Sequence, residues 1–249
     1  KKGMAGFFDR LAESQGHWGY NWGRTTSTAL PPDRVFHPMQ WGSFNWDLGS
    51  AQGPLEQHFA EWRRQDQAMH FLGFNEPDGA TQSNLTEAQA LTLWPRLERM
   101  DEPLVSPVTV NPDNAWMNTF MPQAQALGYR MDAVAAHNYP SPNSGSSDAL
   151  VTLLQDFNTA WNRPVWLTEF STVDWHGTGN WTEEDNYNWL AEFMWRAESL
   201  PWLRRYSLFI FTANTTFPES TNPWDTVAPR SNAYQADGVT PTAFGELYF

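Results

Sequence analysis

Short apolar runs that end in polar or aromatic residues recur along the chain, and most are followed by a stretch whose apolar side chains repeat at helical spacing. This alternation constrains the fold most, because strands joined through helices run parallel and bury both faces. The clearest run is His70-Phe71-Leu72-Gly73-Phe74-Asn75-Glu76-Pro77-Asp78, in which Pro77 stops regular hydrogen bonding and leaves Glu76 at a strand's C-terminal end. The run Pro164-Val165-Trp166-Leu167-Thr168-Glu169-Phe170 has the same grammar and ends on Glu169. Further strands are expected at residues 1–6, 17–22, 35–41, 104–108, 133–140 and 206–211. Helical stretches are expected at 7–13, 53–67, 87–100, 113–127 with a kink at Pro122, 148–161, 182–194 and 242–249.

Eight strands alternating with helices predict a (β/α)8 barrel, a single α/β domain spanning residues 1–249, and that length suits a fold of typically ~250 residues. Such barrels build their sites at the C-terminal ends of the strands. Asn21, Trp22, Trp41, Asn75, Glu76, His137, Tyr139 and Glu169 all fall there.

Composition narrows the partners. With 15 Lys and Arg against 28 Asp and Glu, the formal charge of −13 leaves little basic surface for nucleic acid or an anionic membrane. The apolar runs fall well short of the ~20 residues of a membrane-spanning helix. The absence of cysteine excludes disulfides, thiol catalysis and thiolate metal sites. Fifteen of the residues are Trp, and an indole face can serve either as core or as a surface on which a sugar ring stacks. Trp22, Trp41, Trp46, Trp175 and Trp181 are the candidate platforms, Trp41 foremost.

Glu76 and Glu169 are expected to point inward from strands four and seven on opposite sides of the barrel mouth, and are a candidate catalytic pair. Cleavage of a glycosidic bond needs one carboxylic acid to protonate the leaving oxygen and one carboxylate to act as nucleophile or to activate water. No cofactor or metal is needed for that chemistry. His137 and Tyr139 leave strand six beside strand seven, so the Tyr139 hydroxyl could orient Glu169. His137 could equally be a hydrogen-bonded core histidine.

Asn75-Glu76-Pro77 together with Thr168-Glu169-Phe170 resembles the large clan of retaining (β/α)8 glycoside hydrolases. Within that clan, Trp18-Gly19-Tyr20-Asn21-Trp22, Pro38-Met39-Gln40-Trp41-Gly42, Gly73-Phe74-Asn75-Glu76-Pro77-Asp78 and Trp166-Leu167-Thr168-Glu169-Phe170 resemble glycoside hydrolase family 128 over nearly the whole chain. The resemblance implies hydrolysis of internal β-1,3-glucosidic bonds with retention, Glu76 as acid/base, Glu169 as nucleophile and Asn75 as a contact of the sugar 2-hydroxyl. It implies β-1,3-glucan as partner and, because the substrate is a polymer, a secreted protein; a monomer is the default. Two other readings stand beside it: a non-catalytic glucan-binding barrel, against which the pair of mutually repelling carboxylates argues, and a clan relative acting on β-1,4-glucan or mannan.

Overall fold

The computed structural model describes residues 1–6, 8–43, 70–141, 146–173, 181–212 and 231–249. The strands are β1 (Lys2–Ala5), β2 (Trp18–Tyr20), β3 (Val35–Phe36), β4 (Phe71–Leu72), β5 (Leu104–Val105), β6 (Val134–Asn138), β7 (Val165–Phe170) and β8 (Leu203–Phe209), followed by a short parallel pair, β9 (Phe211–Thr212) and β10 (Asn232–Tyr234). The first eight form a parallel ring. Strands β3, β2, β1, β8, β7 and β6 are hydrogen-bonded in that order, and β4 pairs with β5. Single parallel bridges, Met39 to Leu72 and Val105 to Ala133, join the two groups at both edges and close the barrel. This is the (β/α)8 architecture expected from the alternation of elements.

The helices are α1 (Glu87–Glu98), α2 (Ala115–Ala126), α3 (Asp148–Trp161), α4 (Glu183–Ser199) and α5 (Ala243–Tyr248), and the helical stretch expected at 7–13 is a 3-10 helix at Phe8–Glu13. The expected helix at 53–67 lies outside the described residues. Thr86 caps α1 and Thr182 caps α4 through reciprocal bonds with Gln89 and Asp185, which satisfies the first free N–H groups of each helix. Pro122 does not break α2, which runs through it as one helix from the Asn114 cap. The eighth strand begins at Leu203, three residues earlier than expected.

Two apolar clusters follow from the alternation of side chains along the strands. The larger lies between the ring and the helices and takes Val165, Leu167 and Phe170 of β7. The smaller fills the barrel interior with Ala5, Trp18, Tyr20, Met39, Leu72, Val105, Val108, Ala133, Ala135 and Trp166. The ring is tight at the β4 exit, where a Cβ on Gly73 would stand 2.8 Å from the Pro107 nitrogen. Only glycine lets the two chain segments approach so closely there.

Candidate active site

Glu76 is placed by the end of β4. The Asn75 amide donates to the Trp41 carbonyl at 2.9 Å and the Glu76 amide to the Val108 carbonyl at 2.7 Å, so neighbouring chain segments on both sides hold this stretch. Glu76 itself has φ of 41°, a left-handed conformation that a side chain beyond Cβ adopts at a cost. Trp22, after β2, has φ of 58°. The strained backbone at two residues of one constellation is the kind of feature that surrounding structure preserves for function.

Glu169 is placed by an irregularity in β7. In the β6–β7 ladder Ala136 stands opposite Leu167, but the next residue, His137, stands opposite Glu169. Thr168 is therefore an extra residue, a bulge that reverses the alternation beyond it. Trp166 points into the barrel and Leu167 outward; with regular pleating Glu169 would follow Leu167 outward, and the bulge turns it in. The Thr168 carbonyl that the bulge displaces accepts from the Ser207 hydroxyl at 2.7 Å and lies 3.1 Å from the Tyr20 hydroxyl, whose single proton is shared between this carbonyl and Glu169.

Three neutral donors then converge on the Glu169 carboxylate. Trp22 Nε1 donates to Oε1 at 2.8 Å, the Tyr20 hydroxyl to the same oxygen at 3.0 Å, and the Tyr139 hydroxyl to Oε2 at 2.6 Å. Burial, reinforced by the Glu169 charge, pushes both phenols well above the ordinary tyrosine range, so they remain protonated donors. His137, fully buried, sits between the two carboxylates. Its Nδ1 lies 2.9 Å from Glu76 Oε1, and its Nε2 lies 3.4 Å from Glu169 Oε1 without forming a hydrogen bond. Burial alone would lower this imidazole, but the Glu169 charge, and then the Glu76 hydrogen bond and charge, outweigh it and raise its pKa above 6.5.

One donor atom from each of Glu76, His137 and Glu169 lies within 4.8 Å of the others. Such a set could also hold a divalent cation, which would withdraw both carboxylates from acid–base work. An open cleft of about 560 Å³ lies above the pair, lined by Glu76, Gln82, Val110, Asn111, Tyr139, Glu169 and Phe209.

The structure thus gathers Glu76, Glu169, Trp22, His137 and Tyr139 at the C-terminal mouth. Asn75 adjoins them, with its side chain bonded to Gln82 at 3.3 Å. Trp41 packs partly buried against the interior cluster. Asn21, expected among the substrate contacts, braces its own loop: Oδ1 accepts from the Gly23 amide and Nδ2 donates to the Thr25 carbonyl, both at 3.0 Å. Trp181 is a core residue at 2% exposure and offers no platform. Trp46 and Trp175 lie outside the described residues. Sequence reasoning missed Tyr20 and Gln82. The period of two along β2 could have found Tyr20, since Trp18, Tyr20 and Trp22 share one face.

A parallel barrel with two inward glutamates joined by an imidazole at its C-terminal mouth defines a class, the (β/α)8 proteins equipped for acid–base hydrolysis of glycosides. The model of the glycosyl hydrolase catalytic core family matches residues 7–248, and the chain belongs to that family. No curated protein matches the sequence. Among solved structures, a family 128 subgroup I endo-β-1,3-glucanase from Amycolatopsis mediterranei, bound to laminaripentaose, is 26% identical with a TM-score of 0.79, covering 100% of this chain and 98% of that one. A subgroup II endo-β-1,3-glucanase from Sorangium cellulosum is 22% identical, with a TM-score of 0.73 and coverage of 100% and 97%. A subgroup VII oligosaccharide-binding protein from Trichoderma gamsii is 20% identical, with a TM-score of 0.71 and coverage of 100% and 91%. The last two likenesses show the fold alone. The resemblance to family 128 seen in the sequence agrees with these neighbours.

Proposed function

We propose that this protein is a retaining endo-β-1,3-glucanase. The observation that carries the reading is the Glu76–His137–Glu169 constellation beneath an open cleft. An oxygen of Glu76 and an oxygen of Glu169 approach within 4.8 Å, which favours the short separation of retaining enzymes, about 5–5.5 Å, over the roughly 6.5–9.5 Å of inverting ones. The Amycolatopsis mediterranei glucanase, aligned over the full chain, supports β-1,3-glucan as the substrate.

In this mechanism a Glu169 oxygen attacks the anomeric carbon as the bond to the leaving glucosyl oxygen breaks, and Glu76 gives that oxygen its proton. Glu76 then takes a proton from water, whose oxygen attacks the same carbon and releases Glu169. Trp22, Tyr20 and Tyr139 hold the nucleophile in place for both steps. His137 shares a proton with Glu76 across their 2.9 Å contact and sets a cation near Glu169. The reading extends to a secreted protein, since a cell cannot readily take up the polymer, with a monomer as the default.

The test is the product profile on laminarin and on a β-1,4-glucan, with Glu76→Ala and Glu169→Gln as controls. Short laminari-oligosaccharides from the intact protein alone, with β-anomers released first, are the expected result. Cleavage of the β-1,4-glucan instead would move the substrate. Binding of laminari-oligosaccharides with no products would replace the enzyme with a binding barrel.

A further inference from the structure

The turn that follows Glu76 folds Gln82 back beside the residue that precedes it. Gly79 N–H donates to the Glu76 carbonyl at 2.9 Å, Gln82 N–H to the Gly79 carbonyl at 3.0 Å and Ser83 N–H to the Asn75 carbonyl at 3.3 Å. Asp78 anchors the same turn by accepting from the Val110 amide at 3.1 Å and from Asn114 Nδ2 at 2.7 Å. Gly79 leaves the room that the Gln82 side chain occupies: a Cβ there would stand 2.9 Å from Gln82 Cγ. From this position Gln82 Oε1 accepts from Asn75 Nδ2 at 3.3 Å. Asn75 is 4% exposed, and its Oδ1 has no hydrogen-bond partner among the described residues. A buried amide oxygen without a donor carries an uncompensated desolvation cost, and a sugar hydroxyl in the adjoining cleft would supply that donor.

We propose that Gln82 is a positioning residue that fixes the Asn75 amide, so that the amide's other end meets a sugar hydroxyl next to the reacting carbon. This rests on the glycosidase reading. Gln82 lines the cleft together with Glu76 and is exposed in the free protein. A bound sugar would cover it and strengthen its bond to Asn75 by excluding water. The hydroxyl beside the anomeric carbon is the natural partner, because hydrogen bonds to it strengthen as the transition state forms. Gln82 then acts on turnover more than on binding.

The experiment compares Gln82→Met, which keeps the length and loses the amide, with Gln82→Glu, which keeps the accepting oxygen. Each is assayed on an aryl β-laminaribioside and on the analogue lacking the 2-hydroxyl at the cleaved unit. For Gln82→Met, kcat on the parent falls roughly tenfold with KM little changed, and the loss disappears on the analogue. Gln82→Glu retains most of the rate. An equal loss on both substrates, or a change in KM alone, overturns the inference. In parallel, the Asn75 side-chain amide resonances, identified with an Asn75→Asp variant, move in Gln82→Met and stay near their original positions in Gln82→Glu. Resonances that do not move in Gln82→Met overturn the inference whether or not the protein hydrolyses anything. Failure of the glycosidase reading shows separately, as an intact protein that cleaves neither substrate nor laminarin.

Discussion

Glu169 takes its hydrogen bonds from three neutral donors, two from the end of β2 and one from beyond β6. Trp22 reaches it from a strained residue after β2, Tyr20 from inside β2 and Tyr139 from just beyond β6. A hydrogen bond to a charged group contributes about 1.5–3 kcal/mol. Removal of one donor should therefore misplace the nucleophile at a cost of roughly 10- to 100-fold in kcat. Trp22→Phe and Tyr139→Phe are expected to show that loss with KM changed only a few-fold, as steady-state kinetics on an aryl laminarioside would record. His137 makes a different prediction. Its pKa is raised above 6.5 by Glu169 and Glu76, so its proton is present below that pH and is lost as pH climbs through the raised value. The stability that this proton contributes disappears in the same window. The rate should fall on that alkaline side, and in His137→Asn the alkaline limb should move while kcat drops about 100-fold. An unmoved limb in the pH–rate profile would assign the titration to another group.

At the scale of the element, the bulge in β7 explains both what the sequence disclosed and what it hid. The apolar run ending in Glu169 disclosed a buried strand with a carboxylate near its C-terminal end, because hydrophobic patterning and the barrel's polarity together suffice for that. The inward facing of Glu169 was expected from the pairing of the two carboxylates, but the device that achieves it was hidden. Regular pleating from the interior Trp166 sends Glu169 outward, and only the extra residue Thr168 turns it toward Glu76. A bulge depends on partners distant in sequence, here Ser207 and Tyr20 on the Thr168 carbonyl. The turn that Asn21 builds was hidden for a related reason: an Asn after a strand braces its own turn as readily as it meets a ligand. Ser207→Ala tests the bulge. Ser207 is buried in β8, and loss of its hydroxyl should cost about 1 kcal/mol of stability. It should also lower kcat through Glu169 with KM unchanged; denaturant unfolding and kinetics on the same variant separate the two effects.

At the scale of the whole molecule, the barrel carries polar clusters at both ends of its interior, and they do opposite things with protons. The C-terminal mouth holds a histidine that gains a proton. The N-terminal layer holds His37 and His70, which pack on Trp166 with ring centroids 5.0 and 4.6 Å from its indole, while the Arg205 guanidinium lies 4.6 Å over the same ring. Burial, then the Arg205 charge, then His70 hold His37 well below the ordinary histidine range. Burial and Arg205 lower His70 to about 4, against a smaller opposing pull from Asp132. Both imidazoles therefore stay neutral in the folded protein at pH values where the unfolded chain, with histidines near 6.5, takes up protons. The unfolded state binds more protons in that window, so stability is full above about pH 6.5 and declines as pH falls toward the folded values. Solvent reaches part of His70, which discounts the effect to about 1 kcal/mol between roughly pH 6.5 and pH 5, before most carboxylates begin to titrate. The melting temperature should drop by several degrees across that interval, and the slope should flatten in His70→Asn. Because His137 titrates in the opposite sense at the other end of the barrel, His137→Asn should leave the acid slope intact. An acid slope that survives in His70→Asn and vanishes in His137→Asn would place the acid-sensitive protons at the catalytic mouth instead.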